Sequence, residues 1–463
     1  MNQAEDVEVI LGHERRYKFH SGTLARNSTL FADMFTEPNA AKLNSRARNA
    51  GIKIRWMIEL TRLPCEQYPA GCLELVELTP NGERADGRSG LVVNENGRIP
   101  QAHKAFAYYE AIFYAFYNKE LSIDDTDMTA ALSDCYTLLK ISDYLGCTSI
   151  ISKPIEVALL KQGQDLFRAI AAKPSAWVEM AYRIRSESVF RECMIHLVGN
   201  WRVHKLSPST LDQLREIPGL RALIEKYHRA LLQKGKDLEI VILSNYPGNM
   251  ALPADDLPIK REAYAKDILI WMALTFYRHW VGQRLINDKG RHAPDSGYDL
   301  YKALGTGGDA YMGKAVTNQF HVKFPMTKKA MNVLENHVLE IKACMKKLVQ
   351  ESGILKWNCQ LDCHRFPVKY LTCTEFARAD YPWLNADVWA HPRSLAVVKK
   401  REYKPGGNDI ARQNLDTARM FQGRGASAEM EVDEEEEEGG MVEGSEMEDV
   451  QGDHQMAKRA RVE

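Results

Sequence analysis

The sequence predicts an α+β protein: a small N-terminal α/β unit, then long all-helical regions, then an acidic C-terminal tail with no fold of its own. Three observations carry this. Ile52, Ile54, Trp56, Ile58 and Leu60 alternate with Lys53, Arg55, Met57 and Glu59, the period of two that a strand requires. From Phe106 onward apolar residues recur at steps of three and four, which is the period of an amphipathic helix. The third observation is charge. The 463 residues carry a formal net charge of only −1, but Phe421 to Glu463 alone carry −10, so the body before them is about +9.

The elements follow in order. Val7, Val9 and Leu11 alternate with Glu8, Ile10 and Gly12, and Tyr17 and Phe19 alternate with Arg16, Lys18 and His20, so two short strands meet around Gly12 to Arg15. Ser21 is placed to cap one helix whose Leu24, Phe31 and Phe35 share a face and which Pro38 ends. The strand at Ile52 to Leu60 pairs with another at Leu73 to Leu78, in a sheet with one wet face. Pro80 to Arg98, rich in Gly and Asn, reads as an insertion loop. Helices follow on Phe106, Ile112, Phe113, Phe116 and Tyr117, and then on Leu132, Cys135, Leu138 and Leu139, the latter stopped by Gly146. Further helices carry Trp177, Met180, Ala181 and Ile184; Phe190, Cys193 and Leu197; and Leu334, Val338, Ile341, Met345 and Leu348. The expected divisions are 1–160, with the insertion at about 80–100, then 161–250 and 251–403, both helical, and 404–463. In the last of these, Glu431 to Glu438 offer too little apolar surface to offset the entropy of ordering.

Composition narrows the function classes. The acidic start, Met1 to Glu8, has no apolar run behind it and reads against a secretory signal. The longest apolar run, Ile268 to Tyr277, is too short to span a bilayer and is expected as a buried helix, so no membrane partner is expected. Nine cysteines, odd in number and scattered, point to a reducing compartment. Basic residues are interspersed with acidic ones and no helix carries a basic stripe with interleaved aromatics, so direct contact with nucleic acid is not expected.

Four motifs hint at chemistry. Gly308 to Lys314 fits the GxxxxGK of a phosphate loop, but Ala315 stands where a hydroxyl would hold Mg²⁺ and no apolar strand precedes it. Cys359, Cys363, His364 and Cys373, with Cys344 as a further ligand type, offer soft donors, but C-x3-C-H-x8-C matches no zinc finger spacing. His13 to Tyr17 begins like a zincin and has Tyr17 where the second histidine belongs. His20 sits at a strand-to-helix junction, where a local hydrogen bond is its expected use. No catalytic residue, metal ligand or cofactor site is therefore assigned, and the chain is expected not to be an enzyme. The competing class is a nucleotide- or metal-dependent enzyme using Lys314 or the Cys359 cluster.

Asp6, Val7, Glu8 and Val9, then Phe19, His20, Leu24, Ser28, Phe31, Met34 and Phe35, resemble the signature of BTB/POZ domains, a strand ending in histidine before a helix with Leu, Ser and Phe at these steps. Ala111 to Leu121 and Asp134 to Leu145 extend the resemblance over residues 5 to 160. Trp177 to Ala181, Ile195 to Gly199, Val368 to Cys373 and Pro382-Trp383 resemble the long fungal proteins of that kind. The resemblance implies protein–protein interaction through a BTB/POZ-like domain: self-association as a homodimer, with Asp6, Phe19, His20, Leu24, Ser28, Phe31 and Phe35 as motif or interface residues. It also implies, as an alternative, a substrate adaptor docked on a cullin scaffold, although kelch repeats, a MATH domain and zinc fingers are not recognised in the sequence.

Lys399, Lys400 and Arg401 with Lys404, and Lys458, Arg459 and Arg461, are basic clusters on either side of the acid. Clusters of this kind in unfolded chain are read by import receptors, so nucleus and cytoplasm are the expected locations. The potential of the acidic run reaches only about 8 Å at physiological salt, so a basic nuclear protein would have to touch it. Residues 404–463 fused to a fluorescent reporter too large to diffuse through the nuclear pore should accumulate in the nucleus. Lys458→Ala with Arg459→Ala should abolish this, and a cytoplasmic signal from the intact fusion would remove the import reading.

Overall fold

The structure is a computed structural model that describes residues 5–12, 15–85, 104–123, 126–246 and 268–384. Four strands form the sheet: β1 (Val7–Gly12), β2 (Arg15–Phe19), β3 (Trp56–Arg62) and β4 (Cys72–Val76), in the order β2-β1-β3-β4. β1 pairs antiparallel with β2, parallel with β3 through Val7 opposite Trp56, and β3 pairs antiparallel with β4. The parallel pair requires a crossover. It is made by α1 (Ser21–Asn27), α2 (Thr29–Met34), a 3₁₀ turn at Glu37–Asn39 and α3 (Ser45–Asn49).

The position of a strand in the sheet decides whether its alternation survives. Edge strand β2 alternates exposed Arg16 and Lys18 with half-buried Arg15 and Tyr17 and buried Phe19, whereas on β1 Val7, Val9, Ile10 and Leu11 are all buried. On β3 the expected outward residues Met57 and Glu59 are buried together with Trp56, Ile58 and Leu60. The expected wet face is thus absent at the two central strands. Glu59 is tolerated there because Arg84 Nη2 reaches its carboxylate at 2.9 Å, a pair with little exposure on either side. The strand is also shorter than its alternation, since Ile52 and Ile54 precede β3.

The helix expected after His20 is two helices. Ser28 takes an extended conformation (φ −141°, ψ 126°), its Oγ accepts the N–H of Phe31 and donates to the carbonyl of Leu145 at 2.5 Å, so it starts α2 and breaks α1. Ser21 is not the cap either. His20 holds that position, and Ser21 gives its N–H and hydroxyl to the two oxygens of Asp6, each at 2.7 Å. Leu24 and Phe31 are fully buried, as their spacing requires, and Phe35 is partly buried at the C-cap.

The helices that follow are α4 (Lys104–Ala115), α5 (Met128–Leu145), α6 (Thr148–Lys161), α7 (Gln164–Ala172), α8 (Pro174–Arg183), α9 (Glu187–Gly199), α10 (Trp201–His204), α11 (Pro208–Arg215) and α12 (Leu220–Ser244). After them come α13 (Ile268–Ile286), α14 (Tyr298–Thr306), α15 (Lys314–Lys323) and α16 (Lys328–Ser352). The described residues are therefore mainly helical, with one small sheet near the N-terminus. α9 is the central helix of the body, buried continuously from Val189 to Phe190 and from Glu192 to Gly199, and it packs on α7, α8 and α12. A segment without α-helix, 354–384, then returns across α9. Its approach is so close that a Cβ on Gly199 would lie 2.2 Å from the carbonyl oxygen of Leu371.

α13 contains the long apolar run, but only Ala273, Leu274, Tyr277 and Val281 are buried and Ile268 is 68% exposed, so the expected buried helix packs along a single stripe. On α16, Leu334, Val338, Ile341 and Met345 are buried as expected, with Val349 buried beside a half-buried Leu348. Among the described residues no helix is long and apolar enough to cross a membrane. His13, most of the insertion loop, and the tail with both basic clusters lie outside the described residues.

Gly146 ends α5 in the left-handed conformation (φ 65°), and a Cβ there would sit 1.9 Å from Thr29 Oγ1 at the start of α2. Gly146→Ala should therefore destabilise the protein by about 2–3 kcal/mol, combining backbone strain with the clash. Thr29→Ala in the same chain should recover only part of this. Thermal melting checks both, and an unchanged midpoint in the single variant would show that the contact is not tight.

Candidate functional site

The N-terminal motif residues do come together, as an internal junction. Phe19 meets Phe113 edge-on at 5.5 Å and stacks on Tyr117 at 5.8 Å, while Phe31 lies between Phe35, Phe113 and Phe116. The Tyr117 hydroxyl accepts the backbone N–H of His20 at 2.9 Å and lies 3.1 Å from its ring Nδ1, so this partner of the histidine is 97 residues away and not the local one expected. Asp6 holds the start of α1, and Ser28 joins α2 to the end of α5. With Phe19, Leu24, Ser28 and Phe31 buried within a single chain, these residues are not available to a partner.

A second constellation, invisible to spacing, lies where segment 354–384 crosses α9. Glu192 and His196, one helical turn apart, have no exposure to solvent. Glu192 accepts the N–H of Gln360 at 2.7 Å, the N–H of Leu361 at 3.2 Å and His196 Nε2 at 3.1 Å. His196 Nδ1 lies 2.9 Å from the Tyr370 hydroxyl. Burial holds Tyr370 protonated, its pKa raised above the ordinary phenol value, so the network assigns it as donor to Nδ1 and Nε2–H as donor to Glu192. Both ring nitrogens are then occupied, and His196 has no nitrogen left to serve as base for a nucleophile. The far end of the segment is held in the same way. Asp380 accepts Lys226 Nζ at 2.8 Å and the Tyr227 hydroxyl at 2.6 Å, and Trp383 packs edge-on against Phe190 at 5.3 Å.

The cysteine cluster expected to be buried packing separates. Cys359 and Cys363 are neighbours, their sulfurs 3.4 Å apart, but Cys344 faces Asn245 and His364 packs edge-on against Trp357. Cys373 is buried and its neighbouring cation is Lys234. Among the described residues no three His, Cys, Asp or Glu side chains are grouped to hold a metal ion. The GxxxxGK segment is likewise used internally. It follows helix α14, and its carbonyls at Gly308 and Met312 both accept the buried Lys342 Nζ, at 2.8 and 3.0 Å. Burial lowers the pKa of Lys342. A phosphate loop must turn its N–H groups outward around the anion; here a lysine of the fold gathers two of the loop's carbonyls instead.

Two surface features among the described residues remain, a groove of mixed polarity and an exposed aromatic end. A groove of about 570 Å³ between the end of α4 and α6 is lined by Phe116, Leu121, Ile150 and Val157, with Lys153 and Lys161 at its side. On the C-terminal helices, Phe276, Phe320 and Phe324 form a ladder with centroid spacings of 4.4 and 4.8 Å that runs out to Phe324, 52% exposed, beside Val322 at 81%. Phe324 and Val322 are large apolar side chains exposed at the C-terminal end of α15.

Adding nucleotide with Mg²⁺, or a strong chelator, should leave the melting temperature of the full chain within about 1 °C, because a ligand at 100 times its Kd adds about 2.7 kcal/mol and would be seen. A rise with nucleotide that Lys314→Ala removes, or a fall with chelator that Cys363→Ser removes, would overturn this.

Comparison with known proteins finds a match to the FF domain family in its fungal form, over residues 247–351. No BTB/POZ family matches, and the resemblance drawn from residues 5–160 is corrected accordingly. The apolar and serine spacings that suggested it are what a strand-to-helix junction needs to pack, and they do not identify a family. The cullin adaptor expectation loses its support with it. No curated protein and no solved structure matches the chain. The described part of the matched region, 268–351, contains α13 to α15 and all but the last residue of α16.

Proposed function

We propose that this protein is a non-enzymatic interaction protein and that α13 to α16 form its partner-binding unit. The observation that carries the proposal is the coincidence of the FF-domain match with the aromatic ladder ending at Phe324. Two features support the non-enzymatic half. The GxxxxGK loop is tied down by Lys342, and His196 has both nitrogens engaged. An apolar side chain half or more exposed at a helix end costs solubility and gains only when a partner covers it, where a central aromatic anchor is worth 2 kcal/mol or more, about thirtyfold in affinity.

The test compares full-length protein with a Phe324→Glu, Val322→Glu double variant. Cross-linking mass spectrometry in the native extract should show partners attached near residues 314–328 of the parent and a loss of at least tenfold in the variant. Both residues are exposed, so the melting temperatures should agree within about 2 °C. Light scattering on the purified chain separates self-association from a foreign partner. Cross-links that do not involve this region, or that the variant retains in full, would refute the assignment of the binding unit.

A further inference from the structure

The two thiols nearest one another are the ones the proposed function leaves unused. Cys359 is half-buried and Cys363 almost fully buried, in a turn with their sulfurs in van der Waals contact at 3.4 Å. A disulfide bond is about 2.05 Å long, so closing the gap takes a shift of little more than 1 Å, within reach of side-chain rotation. The backbone between them is already held. The Gln360 and Leu361 N–H groups are fixed on Glu192, and Gln164 grips the same turn from α7, accepting the Asp362 N–H at 2.8 Å and donating to the Gln360 carbonyl at 3.1 Å. Ordering entropy that ring closure would otherwise cost is thus already lost in folding.

The two sulfurs differ in environment. The two thiols share a hydrogen bond, which brings the Cys359 thiol down to about 7 with smaller help from His196 and Thr372, against burial and the charge of Glu192. Cys363 is pushed upward by the same hydrogen bond, by burial and by the charges of Cys359, Glu192 and Asp362. The thiolate at neutral pH is therefore the more accessible of the pair.

We propose that Cys359 and Cys363 are a reversible dithiol–disulfide couple oxidised by peroxides, with Cys359 the attacking sulfur and Cys363 the resolving one. In the first step the Cys359 thiolate attacks a peroxide oxygen: an S–O bond forms, the O–O bond breaks, and the departing hydroxide takes a proton to become water. In the second step the Cys363 sulfur, giving up its proton, attacks the sulfur of the Cys359 sulfenic acid. The S–S bond forms, the S–O bond breaks, and the hydroxide leaves with that proton as a second water. The two thiols lose two electrons and two protons, and the peroxide accepts them. The product ties the ends of the turn that supplies two of the N–H donors to Glu192.

The sequence makes the test direct. Trypsin cuts after Lys356 and Arg365, so both cysteines fall in the single peptide Trp357 to Arg365. The reduced full chain is treated with one equivalent of hydrogen peroxide, alkylated and digested. The expected result is that peptide unalkylated and two mass units lighter than its dithiol form, restored by dithiothreitol, and appearing at least tenfold faster than oxidation of the exposed Cys65. In Cys363→Ser, dimedone should trap Cys359 as sulfenic acid; in Cys359→Ser, Cys363 should stay reduced over the same time. The proposal is overturned if the parent peptide stays alkylated at both sulfurs, if Cys65 oxidises as fast, or if Cys359 goes on to sulfinic acid without the link.

Discussion

A carboxylate sealed from water has to be given donors by the protein, and in this molecule Glu192 receives them from a segment far along the chain. Gln360 and Leu361 satisfy it together with His196 of the same helix, and the two backbone bonds would not form unless residues 354–384 crossed α9. Removing one partner of a buried charge costs about 3–5 kcal/mol. That is a large share of the 5–15 kcal/mol by which a domain is stable. The crossing segment has no α-helix of its own, so its backbone polar groups depend on such anchors. Tyr370, Asp380 and Trp383 continue the attachment along its length.

The same principle recurs at three other places among the described residues. Lys342 gathers the carbonyls of the Gly308 to Met312 loop, Asp6 receives the first N–H of α1, and Arg84 neutralises Glu59 beneath the turn that follows β4. Each is a buried or partly buried polar group given its partner by another part of the chain. The loop that Lys342 ties down had looked like chemistry, Asp6 like part of a family signature, and Glu59 like an exposed strand face. In the fold they are attachments. The exposed aromatic end of α15 and the paired sulfurs of Cys359 and Cys363 are features, among the described residues, that packing does not use up.

Similarity to the FF domain covers 247–351, within a chain of 463 residues, and it lies in the region for which the sequence motifs offered least. The N-terminal motif misled because it was judged by residue type at short spacing. Phe, Leu and Ser at these steps are selected by the need to bury Leu24 and Phe31 and to restart a helix at Ser28, constraints that many unrelated junctions share.

By itself the sequence determined the local elements: β1 and β2 from alternation, α5 and its stop from Gly146, α9 and α16 from apolar steps, all of which depend on neighbours within a turn or two. It also determined the charge division between body and tail, which is a matter of counting. Tertiary structure alone decided which strands lie in the middle of the sheet, and so that Met57 and Glu59 are buried although their alternation with apolar residues reads as a wet face. It alone brought Glu192 to Gln360 and Leu361, since a contact across so many residues leaves no periodic trace in either partner. It also separated the cysteines, keeping Cys359 with Cys363 and sending His364 to Trp357, because the direction of a side chain in an irregular turn is set by what packs around it and not by its place in the chain.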